Sequence, residues 1–311
     1  MKIAIIGAGA VGGYFGAQLH AAGEDVHFLV RPRSLAVLRE RGLTVLSSLA
    51  PQQLASVQAT DDPESIGHAD IVMFTVKLPD APAAARLLGP LVGPRTLVIP
   101  FQNGVEGPQI LRESVPAAQV ASGVAYIASA LREAGVVVHG GPFARLRFGA
   151  LDADQHATLE AFEATCRNAG IDAELVENIA RTTWEKFVFL VGLSAMTATT
   201  RQPIGPIRAD PVLRAQLREV MSETFEVGQA ERAGLPADFV DERMRFVDSL
   251  PETMKASMLH DLEAGRPLEL PWLSGAVVRL GAQHAIPTPA NRAVVDALAA
   301  HAGGSQNRAP A

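Results

Sequence analysis

The chain has 311 residues, more than one ordinary small domain needs and enough for two, and its 48% hydrophobic fraction supplies sizeable cores. Lys and Arg number 27 against 33 Asp and Glu, a net charge of −6; this argues against a nucleic-acid or anionic-membrane partner and leaves any anionic ligand to a few local cations. The lone cysteine, Cys166, excludes an internal disulfide and a thiolate metal cluster, and its place in a helix-like stretch makes it a core residue. No apolar run reaches transmembrane length, and a strand at the N-terminus leaves no room for a signal peptide, so a cytoplasmic protein is expected.

The chain opens on an Ile-rich apolar run, Lys2–Ile6, which reads as a strand buried on both faces. Gly7, Ala8, Gly9, Ala10, Val11 and Gly12 follow as G-x-G-x-x-G, and the residues through His20 continue as a helix. Gly7 allows a tight turn, Gly9 a close approach of a pyrophosphate, and Gly12 close packing of helix on strand. The helix then points unpaired N–H groups and its positive dipole end at the phosphates. A glycine turn without a ligand is the bland reading, and the strand before and helix after favour a dinucleotide site. A second buried strand is predicted over 25–30. Its end carries no acid for an NAD ribose; instead Arg31, Arg33 and Ser34 stand there, cations and a hydroxyl suited to the 2′-phosphate of NADP.

Further along, a helix is predicted over 35–41, then an apolar run over 43–46. Loops with room for one short strand follow over 47–65. A buried parallel strand over 70–76 ends at Lys77, on the carboxyl edge where such sheets bind ligands. A helix over 81–88 and a strand over 96–100 lead to Asn103, also at a strand end, whose competing reading is a plain Asn-Gly turn. Three short strands, over 120–129, 135–139 and 145–149, read as an antiparallel meander at the sheet's far edge. A helix over 155–169 and a strand over 171–175 complete a doubly wound α/β domain.

Beyond residue 176 strand signals cease. Helices are predicted over 178–199, from Asp210-Pro211 to 234, and over 236–248, 252–264, 271–284 and 289–302, with Thr288-Pro289 as a second cap-then-proline start. The expected division is therefore an NADP-binding Rossmann-type domain at 1–176, an all-helical substrate and catalytic domain at 177–302, and a flexible tail at 303–311. In the first of these helices Lys186 lies beside a run that must be largely buried. A lysine snorkelling to the surface is one reading. The other is an ammonium in a cleft between the domains, donating to an oxygen that becomes an alkoxide. Leu190 and Ser194 share its helical face by the i, i+4 rule. His260 beside Asp261 does not make a metal site, and no other cluster has ligand spacing, so no metal is expected.

Taken together, the pieces resemble the ketopantoate reductase (2-dehydropantoate 2-reductase) family over essentially the whole chain. They are GAGAVG at Gly7–Gly12, Arg31, the TVK at Thr75, Val76 and Lys77, the QNG at Gln102, Asn103 and Gly104, the WEKF around Lys186, and SML-x-D through to Glu269. The likeness implies an NADP-dependent reductase that turns a 2-oxo acid, 2-dehydropantoate, into a 2-hydroxy acid. By it Gly7–Gly12 hold the pyrophosphate, Arg31 the 2′-phosphate, and Lys77, Asn103 and Ala128 the cofactor. Asn103 and Ser257 also meet the substrate, Lys186 is the general acid, and Glu269 is the carboxylate at the catalytic and cofactor site. The departure lies in the substrate half: pantoate-forming members carry asparagines one and two turns beyond the lysine, where this chain has Leu190 and Ser194, and a further polar contact falls near Ile204. That leaves open a relative acting on a more apolar 2-oxo acid, or running toward oxidation. A catalytically silent NADP-binding redox sensor would need neither Lys186 nor Glu269. The apolar helical domain also leaves room for a homodimer.

Overall fold

The computed structural model describes residues 1–304. The tail expected at 303–311 lies, from residue 305 on, outside the described residues; Gly303 and Gly304 close a turn in which the Gly304 N–H donates to the His301 carbonyl (2.9 Å). The chain forms two compact units, Met1–Ile179 and the part from Ala180 on.

In chain order the first unit contains β1 (Lys2–Ile6), α1 (Ala10–Ala21), β2 (Asp25–Leu29), α2 (Pro32–Arg41), β3 (Leu43–Leu46), β4 (Gln52–Leu54) and β5 (Gln58–Thr60). Next come β6 (Ile71–Phe74), α3 (Ala81–Ala85), β7 (Leu97–Pro100), α4 (Gly107–Arg112), β8 (Ser122–Glu133), β9 (Val136–Gly149), α5 (His156–Asn168) and β10 (Asp172–Leu175). A parallel sheet runs in the order β5-β2-β1-β6-β7. Its order reverses between β1 and β6, the switch point outside which such sheets take ligands. The period of two shows in the packing: Ile3, Ile5, Val26, Phe28, Ile71 and Met73 fill one core, and Ala4, Ile6, Leu29, Val72 and Phe74 the other. Burial on both faces is what makes these strands continuous apolar runs rather than alternating ones.

The antiparallel edge is present and differs in detail from the expected meander. Two long strands, β8 and β9, replace three short ones, and they belong to a second sheet, β10-β9-β3-β4, with β8 along β9. A parallel bridge from Val98 to Val120 ties the start of this hairpin to the β7 edge. Gly140, Gly141 and Pro142, in the gap between the second and third expected strands, sit instead inside β9, where the register jumps opposite Ala128. A bulge tolerates both glycine and a residue without an N–H, and the long ladder on either side outweighs the local turn signal.

The second unit is helical, beginning with α6 (Ile179–Thr200), α7 (Ile204–Ala209) and α8 (Pro211–Ala230). α9 (Phe239–Ser249), α10 (Ser257–Glu263), α11 (Ser274–Gln283) and α12 (Pro289–Leu298) complete it. α7 has no counterpart in the expected elements, because Gly205 and Pro206 interrupt the helical pattern. Asp210 caps α8 as expected, accepting from the N–H groups of Val212 (2.8 Å) and Leu213 (3.1 Å). Thr288 does not cap α12. The Glu223 carboxylate on α8 does so from across the bundle, accepting from Ala290 N–H (2.7 Å), Asn291 N–H (2.9 Å) and Asn291 Nδ2 (2.9 Å). Among the described residues no helix is long and apolar enough to cross a membrane.

Candidate active site

The glycine loop leaves β1 at Gly7, whose φ of +94° lies in the left-handed region that suits glycine, and enters α1 at Ala10. At Gly12 a side chain would come within 2.2 Å of the Gly7 carbonyl oxygen and 2.3 Å of Thr75 Oγ1, so only hydrogen fits. At Gly9 a Cβ would meet nothing within 4 Å. Gly9 is also the N-cap of α1 and offers no side-chain acceptor, so the first-turn N–H groups of this helix are left without a side-chain cap. A pyrophosphate fits there, at the positive end of a 12-residue helix. Thr75, at the end of β6, braces the loop through its hydroxyl, which lies 2.9 Å from both the Ile6 and the Gly7 carbonyl oxygens. That brace escaped the sequence, where Thr75 appears only as part of a motif.

Arg31 is the N-cap residue of α2, which starts at Pro32, two residues before Ser34. Proline at the first helical position sets that start, so Ser34 lies inside the first turn. The Arg31 guanidinium is 73% exposed, with Nη2 2.6 Å from Asp80 Oδ1. Arg33 is exposed beside it. Lys77 lies exposed just beyond β6, and Asn103, partly buried, just beyond β7. Gln102 links the two strand ends, its Nε2 donating to the Val76 carbonyl (2.9 Å). Ala128 is exposed at the β8 irregularity; its neighbour Ser129 is the one that reaches α1, its hydroxyl donating to the Ala10 carbonyl at 3.2 Å.

In the helical unit Lys186 is partly buried on α6, between Trp184 and Phe187, whose rings meet edge-on at 5.3 Å. Burial pushes its ammonium down to about 8 from 10.5, and the negative charge of Glu269 opposes the shift. Glu269 precedes the short 3-10 turn Leu270–Trp272 and is itself partly buried. Ser257 is the exposed first residue of α10. One and two turns beyond Lys186, Leu190 is partly buried and Ser194 is 1% exposed, its Oγ without a hydrogen-bond partner. Ile204, at the start of α7, is fully buried. The helical unit thus brings a depressed lysine under the influence of a carboxylate, a pairing that sequence spacing alone did not reveal across 83 residues.

A doubly wound sheet with an open glycine loop and an arginine at the end of its second strand, continued by a helical unit with a perturbed lysine, defines an NADP-dependent oxidoreductase. The family pattern of Ketopantoate reductase PanE/ApbA matches residues 3–153, and that of its C-terminal part, Ketopantoate reductase PanE/ApbA C terminal, matches 178–302. The chain belongs to the ketopantoate reductase family. Among its relatives, a 2-dehydropantoate 2-reductase from Archaeoglobus fulgidus is 32% identical over 295 residues, covering 95% of this chain and 96% of that one. The crystal structure of a 2-dehydropantoate 2-reductase from Geobacter metallireducens superposes with a TM-score of 0.89 at 32% identity, over 96% of this chain and 99% of the other. A PanE/ApbA family ketopantoate reductase from Ralstonia eutropha gives 0.87 at 31% identity, over 97% and 98%.

Proposed function

We propose that this protein reduces 2-dehydropantoate to pantoate with NADPH, as a step of pantothenate biosynthesis. The observation that carries the reading is the likeness to 2-dehydropantoate 2-reductases along the whole chain, together with Lys186 and Glu269 in the helical unit and an open glycine loop in the other. When bound, NADPH supplies the hydride for the ketone carbon. Gly7–Gly12 would cradle its pyrophosphate with backbone N–H groups, Arg31 would bind the 2′-phosphate, and Lys77, Asn103 and Ala128 would line the rest of its site. Lys186 hydrogen-bonds the ketone oxygen and gives it a proton as negative charge develops there. Glu269 favours the protonated lysine, and Asn103 and Ser257 orient the acid.

A second reading keeps the chemistry and changes the tail of the acid. Leu190 offers no hydrogen bond and the Ser194 hydroxyl is buried without a partner, so a less hydroxylated 2-oxo acid suits this helix face. NADPH oxidation by the purified protein, followed over a panel of 2-oxo acids that includes 2-dehydropantoate, tests both. The proposal requires the highest kcat/KM for 2-dehydropantoate and a roughly ten- to hundredfold preference for NADPH over NADH, the range that one charge-assisted hydrogen bond supplies. An apolar-tailed acid turned over best would establish the second reading, and cofactor binding without turnover of any acid would leave a sensor. A cytoplasmic location and a homodimer belong to the same proposal. Sedimentation of the purified protein tests the homodimer.

A further inference from the structure

Arg31 does not face solvent alone. It follows β2, Asp80 follows β6, and these are the two strands that flank β1. The ion pair between Nη2 and Oδ1, 2.6 Å long, therefore joins the segments on either side of the strand that feeds the glycine loop. Asp80 is not held there for the sake of α3: its side chain caps no helix N–H, and only its backbone N–H is engaged locally, donating to the Lys77 carbonyl at 2.9 Å. The Asp80 side chain is 43% exposed and reachable by a ligand that reaches Arg31.

This arrangement places opposite charges at the point that distinguishes the two nicotinamide dinucleotides. A 2′-phosphate arriving at Arg31 meets a guanidinium already partly neutralised, and a carboxylate whose charge repels it. Arginine has five N–H donors, so both anions can share it, at a cost in repulsion. An unphosphorylated ribose has the opposite needs. Its 2′-hydroxyl is a donor, and a carboxylate is the acceptor that dinucleotide-binding sheets ordinarily use for it.

We propose that Asp80 is a specificity-determining residue of the cofactor site, weakening the hold of Arg31 on a 2′-phosphate and accepting the 2′-hydroxyl of an unphosphorylated ribose. The preference for NADPH over NADH is then set by the Arg31–Asp80 pair and is smaller than Arg31 alone would give. This rests on the reading of Arg31 as the 2′-phosphate ligand.

Calorimetric titration of the full chain with 2′,5′-ADP and with 5′-AMP reads the two effects without turnover. Asp80→Asn should tighten 2′,5′-ADP about three- to tenfold and weaken 5′-AMP about twofold, the scale of an exposed charge pair and one hydrogen bond. The gain should shrink as salt is raised, because both partners are exposed. Asp80→Ser should move the ratio of the two affinities in the same direction, and unchanged melting of both variants excludes a general loosening. Arg31→Ala should abolish the advantage of 2′,5′-ADP. If Arg31→Ala does so while both Asp80 variants leave the ratio unchanged or lower it, the proposal for Asp80 fails and the NADP site stands. If Arg31→Ala leaves 2′,5′-ADP binding intact, the assignment of Arg31 fails and the proposal with it.

Discussion

Lys186 is partly buried on α6, and burial that pushes its ammonium down to about 8 makes its proposed proton-donor role testable as a pH dependence. A donor must carry its proton, so kcat for reduction should fall as pH rises through about 8. In Glu269→Gln the negative neighbour is gone, the ammonium is less favoured, and that limb should move to lower pH; an unmoved limb would separate Glu269 from Lys186. The same shift affects stability with a defined sign. The unfolded lysine binds its proton up to about 10.5, the folded one only to about 8, so stability should rise with pH across that window and be lowest below it. Lys186→Ala should lower kcat by about 10²–10⁴ while NADPH binding persists. Two glycines of the loop make a second contrast at this scale. Gly9→Ala meets no protein atom within 4 Å; it should leave the melting temperature in place and weaken NADPH at least about tenfold, by filling the space where phosphate approaches backbone. Gly12→Ala drives a methyl into the Gly7 carbonyl and should cost about 1–3 kcal/mol of stability as well. Calorimetry with and without NADP separates the two.

The start of α12 shows how an element can be terminated by a residue remote in sequence. Thr288-Pro289 carries the cap-then-proline pattern, yet Thr288 has a φ of −133° and a ψ of 56°, and its side chain caps nothing. Glu223, 68 residues earlier than Asn291, is 7% exposed and satisfies the first N–H groups instead, its carboxylate also suiting the positive end of the helix. Glu223→Ala would leave the buried Asn291 N–H and the partly buried Ala290 N–H without their acceptor and should destabilise the chain by about 2–4 kcal/mol in urea unfolding. Thr288→Ala should cost less than about 1 kcal/mol. The reverse order of the two would restore the local cap.

For the molecule as a whole, binding of NADP to the folded state alone should raise thermal stability. At a hundredfold excess over Kd the gain is about 2.7 kcal/mol, which for a cooperative unit of this size is a rise of roughly 5–10 °C. NAD at the same concentration should give a smaller rise, in keeping with the proposed role of Arg31. If the two compact units melt separately, the transition of Met1–Ile179, which holds the glycine loop and Arg31, should move most with NADP.

Sequence by itself determined the elements whose signal is local. β1, the glycine loop and α1 were legible because a strand buried on both faces must be apolar throughout and because only glycine tolerates the turn at Gly7 and the contact at Gly12. The helical character of the second unit and the Asp210 cap were legible for the same reason, since the helical period and capping chemistry act within a few residues. Lys186, Glu269, Arg31 and Asn103 were singled out by residue type, position and family likeness, but not their surroundings. Tertiary structure alone decided that Glu223 rather than Thr288 caps α12, that Thr75 braces the loop, and that Gly140–Pro142 is a bulge and not a turn. It also decided that Asp80 pairs with Arg31 and that the charge of Glu269 acts on Lys186. Each of these is a hydrogen bond, charge interaction or ladder between residues far apart in the chain, and its energy depends on distance in space, which no local pattern encodes.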